Sequence, residues 1–151
     1  MDFSITQKKQ EELEKRMASL GIREQDIQEK YVRSSGPGGQ KVNKTASCVY
    51  LKHVPTGLEI KMQRERSQGL NRYYARKRLC ELLEQEQLGS WLRGAIANLK
   101  EPYRSLVVLR DVQQNSYRDV AQALELSMDQ VKVYLHRARR QLRDNLQEVR
   151  T

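Results

Sequence analysis

The chain has 151 residues, 38% of them hydrophobic, and carries 28 Lys and Arg against 19 Asp and Glu, a net charge of +9. That length and apolar content suit one domain or two small ones with modest cores. The longest wholly apolar run, Leu106-Val107-Val108-Leu109, is far too short to cross a bilayer, and the N-terminus lacks a signal-peptide core. Both halves are basic, with 17 basic against 12 acidic residues in 1–87 and 11 against 7 in 88–151. A polyanion is therefore the expected partner of each half, with ordinary solubilising charge as the alternative. Cys48 and Cys80 have no metal-ligand spacing and apolar neighbours, so they are expected to be buried thiols of a reducing compartment. The expectation is a cytoplasmic protein with no metal, cofactor or membrane partner.

Residues 4–20 read as a polar helix, with Ser4 as N-cap, Gly21 as the stop, and Leu13, Met17 and Leu20 as a narrow apolar stripe. From Asp26 the pattern is that of a strand, which runs into Ser34-Ser35-Gly36-Pro37-Gly38-Gly39-Gln40. Glycines and a proline packed this closely belong to a loop. Either it is a solvated turn, or its backbone approaches an anion, as the flanking Arg33, Lys41 and Lys44 suggest. Residues 46–53 are again β-prone, Pro55-Thr56-Gly57 is a turn, and Leu58-Glu59-Ile60-Lys61-Met62 alternates as a half-buried strand does. The loop is thus expected between two strands of a small antiparallel sheet.

Residues 67–87 read as the helix that covers this sheet, capped by Ser67. Its inner side is Leu70, Tyr73, Tyr74, Leu79, Leu82 and Leu83, and its outer side is made basic by Arg72, Arg76, Lys77 and Arg78. His53 invites a role as general base, but without a partner Ser or Cys motif it reads more simply as a surface residue. At Leu88-Gly89-Ser90 the helical period is expected to stop, dividing the chain into domains 1–88 and 89–151. A Gly-Ser pair is also what an artificial joint leaves.

The second half reads as helical throughout: Leu92, Ile96 and Leu99 in one helix, a second opened by Pro102, and a third capped by Ser116 with Val120, Ala121 and Leu124 inward. After Glu125-Leu126-Ser127 a long last helix aligns Val131, Leu135, Ala138, Leu142, Leu146 and Val149 on one face. Beside that face run Lys132, His136, Arg139 and Arg143, with Arg137 and Arg140 on the other flank. This is either a helix-turn-helix with a DNA-reading second helix or a solvated basic helix packed by one side. The fold class is α+β: a small antiparallel sheet with a covering helix and a protruding loop, followed by an all-α helix-turn-helix domain.

The stretch from Tyr31 through Gly38-Gly39-Gln40 to Thr45, with Arg66-Ser67-Gln68 and Asn71-Arg72 further on, resembles the catalytic domain of class I peptide-chain release factors over about residues 24–84. The resemblance implies hydrolysis of the peptidyl-tRNA ester in the ribosome, with Gly38, Gly39 and Gln40 catalytic. It implies RNA contacts from Arg33, Ser34, Ser35, Lys41, Asn43, Lys44, Arg66, Gln68 and Arg72. Without the codon-reading domains of conventional release factors, the chain is similar to stand-alone members that rescue stalled ribosomes.

Glu101 to Val112, Ser116 to Ala121 and Val131 to Arg139 look like region 4 of extracytoplasmic-function sigma factors, over about residues 91–146. That likeness implies promoter DNA or RNA polymerase as a partner, through Lys132, His136, Arg137, Arg139, Arg140 and Arg143. The pattern departs from the family at Gln114 and Glu125, where glycine is usual, at Asn115, usually apolar, at Asp129-Gln130, usually Gly-Thr, and at Tyr134, commonly basic. The region that binds core polymerase is absent. Ribosomal ester hydrolysis is the leading reading; the alternatives are a transcription module or a fusion in which one half is a passenger.

Overall fold

The computed structural model describes residues 3, 5–33 and 46–150, without the side chains of residues 149 and 150. The expected N-cap Ser4, and the loop residues Ser34, Ser35, Gly38, Gly39, Gln40, Lys41, Asn43 and Lys44, lie outside the described residues. Two compact units divide the chain, Met1–Gln85 and Glu86–Thr151.

In the first unit, α1 (Gln7–Ser19) starts from Thr6. It ends where Gly21 takes φ +70°, with the Gly21 N–H bonded to the Ala18 carbonyl at 3.1 Å and the Ile22 N–H to that of Met17 at 2.9 Å. This paired closure needs a left-handed residue at Gly21, and it puts Ile22 and Met17 together in the core. Strands β1 (Ile27–Val32), β2 (Cys48–His53) and β3 (Leu58–Met62) form one antiparallel sheet in that order, in the register Val32↔Cys48 and Leu51↔Ile60. The residue 33–47 connection therefore leaves and re-enters the sheet at adjacent strand ends, as expected.

Alternation turns Val49, Leu51, Ile27, Leu58, Ile60 and Met62 to one face, where α1 and α2 (Gln68–Ala97) cover them with Leu13, Met17, Ala75, Leu79 and Leu83. Ser67 caps α2 as expected, its Oγ accepting from the Leu70 N–H. Cys48 and Cys80 are buried free thiols, and burial pushes the Cys80 thiol up to about 11.

The expected end of this helix at Gly89 is corrected: Gly89 and Ser90 lie within α2. An interior glycine costs a helix only about 1 kcal/mol, which the strong helix formers Gln85, Glu86, Gln87 and Leu88 outweigh.

The second unit packs α3 (Tyr103–Val107), which continues through a wider π turn at Val108–Val112, against α4 (Tyr117–Leu124) and α5 (Met128–Arg150). Its core is Leu99, Leu106, Val107, Val120, Ala121, Val131, Leu135 and Ala138. No helix among the described residues is long and apolar enough to cross a membrane.

Candidate active site and nucleic-acid faces

The first turns of α2 grip both legs of the glycine-rich connection. On the outgoing leg, the fully buried Asn71 donates from Nδ2 to the Ser47 carbonyl at 2.7 Å and to that of Glu65 at 2.8 Å, and accepts from the Glu65 N–H at 2.8 Å. Both its donors and its oxygen are used, which is the condition for burying an amide. Gln68 adds a bond from Nε2 to the Ala46 carbonyl at 2.9 Å. Ser67, by starting the helix, fixes where both amides point.

On the incoming leg, Glu29 of β1 faces α2 and takes hydrogen bonds from Arg72, from Arg76 at 2.6 Å and from the Tyr31 hydroxyl at 2.9 Å. Arg76 is 1% exposed and completes its fork on Glu24 at 2.8 and 2.9 Å, with a further bond to the Arg72 carbonyl. Phe3 lies under both guanidinium groups, at 5.4 Å for Arg72 and 5.3 Å for Arg76. Burial would push the Glu29 carboxyl up, but the bonds from Arg72 and Arg76 and the Arg76 charge outweigh it and hold Glu29 below the ordinary carboxylate range. Two cations and two carboxylates cancel, so the cluster is an internal tie and not a free cationic surface.

In the second unit, Ser116 caps α4 by accepting from the Asp119 N–H, as expected. Ser127 and Gln130 make a reciprocal box at the start of α5, Ser127 Oγ accepting from the Gln130 N–H at 3.1 Å and Gln130 Oε1 from the Ser127 N–H at 2.9 Å. Glu125 closes α4 at φ +54°, and Gln114 sits at φ +59°. Lys132, His136, Arg137, Arg139, Arg140 and Arg143 are all exposed on α5. Arg139 is bound through two nitrogens to Asp111, which raises its pKa. Its charge is therefore largely spent inside the unit.

Residues 12–93 match the family model of the RF-1 domain. The chain belongs to the RF-1 domain family. Residues 90–142 match that of sigma-70 region 4. The chain is 49% identical over 63 residues to a mitochondrial translation release factor in rescue from Danio rerio, covering 42% of this chain and 40% of that protein. It is 52% identical over 59 residues to peptide chain release factor 1 of Leuconostoc citreum, covering 39% and 16%. It is 35% identical over 96 residues to peptide chain release factor 2 of Campylobacter fetus, covering 60% and 26%. The chain thus spans less than half the length of these relatives.

Within the RF-1 domain, the structure redistributes the residues singled out from sequence. Arg33 and Arg66 are exposed beside the connection. Gln68 and Arg72 bond to the Ala46 carbonyl and to Glu29, so they act first as supports of the loop's legs. The basic outer side expected for α2 is corrected at Arg72 and Arg76, because Glu24 and Glu29 arrive from residues far back in the chain and draw both inward.

His53 is also corrected. It is 4% exposed, its Nδ1 lies 2.8 Å from Thr56 Oγ1, and its Nε2 has no partner among the described residues. It ends β2, about 17 Å of strand from the Cys48 end that carries the connection, so it is remote from any chemistry there. Glu24 and Glu29 were not legible as site residues. Asn71 stood out only as part of the Asn71-Arg72 pair in the resemblance and as a poor helix former four residues after a cap, and its bonds to residues 47 and 65 were not foreseen.

Among the described residues no three His, Cys, Asp or Glu are placed to hold a metal.

Proposed function

We propose that this chain hydrolyses the ester between a nascent peptide and tRNA in the large ribosomal subunit, without reading a codon. The observation that carries the reading is the double grip of α2 on the legs of a segment containing an intact Gly38-Gly39-Gln40. Asn71 and Gln68 hold residues 46–47, and Arg72 and Arg76 hold Glu29. A loop that must place one backbone N–H against a reacting oxygen needs its exit and entry fixed.

Water attacks the ester carbonyl carbon, the C–O bond to the tRNA ribose breaks, and the leaving oxygen takes a proton. An ester is already an activated acyl group, so no Ser-His-Asp triad is required. In this reading the Gln40 N–H stabilises the departing oxygen and its side chain selects water, while Gly38 and Gly39 give the backbone the freedom to aim it. One donor of this kind is worth about 10²–10³ in rate. Arg33, Ser34, Ser35, Lys41, Asn43, Lys44 and Arg66 contact ribosomal RNA. The similarity to rescue factors supports the codon-independent form.

The second unit, on this reading, is a separately folding domain that adds a nucleic-acid contact through α5. The match to sigma-70 region 4 and the exposed cations there support it.

The test is peptide release from stalled ribosome complexes with and without a stop codon in the decoding site. The wild-type protein should release equally from both, and Gly39→Ala should release from neither while still folding. Release only at a stop codon removes the codon-independent claim, and normal release by Gly39→Ala removes the catalytic one.

A further inference from the structure

The sheet of the RF-1 unit has a second face that its helices leave open. Residues alternate across a strand, and α1 and α2 both pack on the side of Val49, Leu51 and Ile60. At its loop end the other side carries the pair Val32↔Cys48, where Cys48 is buried; beyond it lie two cross-strand rows set by the register, Lys30↔Tyr50↔Lys61 and Gln28↔Lys52↔Glu59. Lys30 and Lys61 are exposed at the two edges, and Tyr50 lies between them on the central strand.

Lys52 reaches Glu59 at 3.6 Å, and the Tyr50 hydroxyl is directed at the same carboxylate. Glu59 thus partners Lys52 and Tyr50, and among the described residues Lys30 and Lys61 have no ion-pair partner.

We propose that this open face, with Tyr50 flanked by Lys30 and Lys61, binds single-stranded RNA, an unstacked base lying on the Tyr50 ring and the adjoining phosphates on the two lysines. The choice of RNA as occupant rests on the ribosomal reading above. The chemistry fits it independently. Three lysines against one carboxylate make the face complementary to a polyanion. An aromatic ring held on an antiparallel sheet, with cations one strand away on either side, is the arrangement by which sheets stack splayed bases. Strands about 4.8 Å apart put Lys30 and Lys61 about 10 Å from each other across the ring, so their side chains reach to either side of one stacked nucleotide.

The test uses the full chain and a fluorescent single-stranded RNA octamer of mixed sequence, with affinity measured by anisotropy at several salt concentrations. Tyr50→Ala should weaken binding about tenfold or more, as loss of one stacked base does, and Tyr50→Phe should restore most of it. The double variant Lys30→Gln and Lys61→Gln should lower the slope of log K against log salt by about 1.4, near 0.7 for each lost phosphate contact on a single strand. Circular dichroism melts establish that each variant is folded at the assay temperature; if Tyr50→Ala is not, the lysine pair and Tyr50→Phe decide.

Unchanged affinity and slope in the folded variants overturn the proposal, as does a Tyr50→Phe loss equal to that of Tyr50→Ala. RNA binding that responds only to substitutions on α5 also overturns it. The assay contains no ribosome, so a wild-type protein that fails to release peptide sinks the catalytic reading and leaves this result standing or falling by itself.

Discussion

Asn71 holds Ser47: its Nδ2 donates to the Ser47 carbonyl at 2.7 Å from a fully buried position on α2. Through that bond a helix residue fixes the backbone next to the glycine-rich segment. Removing the side chain leaves the Ser47 and Glu65 carbonyls and the Glu65 N–H without their partner, and an unmet buried group costs about 1–3 kcal/mol. Asn71→Ala should therefore lower unfolding free energy by about 3 kcal/mol, read from the denaturant midpoint. Asn71→Asp keeps the acceptor for the Glu65 N–H but loses both donors, so it should destabilise nearly as much. A loss under about 0.5 kcal/mol in both variants would show that the clasp carries no energy.

Arg76 is the most deeply buried charge of the molecule's described part, and Glu24 and Glu29 are what make its burial tolerable. Replacing one member of such a cluster strands the others, at a cost of about 3–5 kcal/mol. Arg76→Met should show that loss at pH 7.

The same cluster sets an acid limit. Glu29 is held below its ordinary pKa, so it binds a proton less readily folded than unfolded. Its stabilisation is complete above the unfolded carboxylate pKa of about 4.3 and drains as pH falls through the folded one. Denaturant midpoints of the wild type should accordingly be flat from pH 7 to about 5 and fall below about 4. In Arg76→Met the fall should begin at higher pH, because burial still pushes Glu29 up while its main counter-charge is gone. A wild-type midpoint that does not move between pH 5 and 3 would remove Glu29 from the account.

Backbone conformation yields a third set of expectations, with opposite substitutions. Gln114 and Glu125 occupy φ +59° and +54°, a region that costs an L-residue about 1–2 kcal/mol and glycine almost nothing. These are the two positions at which glycine is usual in region 4 sequences, so this chain keeps the turn geometry while carrying strained residues in it. Gln114→Gly and Glu125→Gly should each raise the stability of the second unit by about 0.5–1 kcal/mol, after the entropy of the freer unfolded chain is set against the relief of strain. Gly89 is the converse case. It lies inside α2, and an added Cβ meets only the movable end of Arg93 at 3.3 Å. Gly89→Ala should stabilise by about 0.5–1 kcal/mol and slow proteolysis at residues 88–90. Faster cleavage there would restore the expected linker.

What the sequence disclosed and what it withheld separate along one line. Features written in neighbouring residues were legible: the alternation of Leu58 to Met62, the caps Ser67 and Ser116, the stop at Gly21, and the spacing that puts Val131, Leu135 and Ala138 on one face of α5. Features that join distant residues were not. Nothing near Arg76 says that Glu24, 52 positions away, will meet it, and a run of Arg72, Arg76, Lys77 and Arg78 then looks like a solvated basic side. Asn71 and Ser47, 24 positions apart, are another such pair. Gln130 is a different case: it departs from the family pattern, and Ser127 three residues earlier marks it as half of a capping box that was not foreseen.

The exposed cations of α5 make the last expectation, and Arg139 sorts them. Because Arg139 is bound to Asp111, its replacement removes a partly exposed ion pair worth at most about 1 kcal/mol and little free charge. Lys132, His136, Arg140 and Arg143 lie along one stripe of the helix at spacings of four, four and three. If duplex DNA or RNA lies against that stripe, Arg140→Gln with Arg143→Gln should reduce the salt slope of binding by about 0.9 per phosphate contact, while Arg139→Gln should leave it nearly unchanged. The capping role of Gln130 occupies its Oε1, which denies it a bidentate contact to adenine, and Asp129 puts a negative charge at the start of the helix. Affinity for a promoter-like duplex and for its scrambled counterpart should therefore differ by less than the roughly 5–150-fold that a single wrong base pair imposes on a sequence reader. Strong discrimination between those duplexes, lost on Arg140→Gln, would instead make α5 a base-reading helix and the second unit a specific DNA-binding domain.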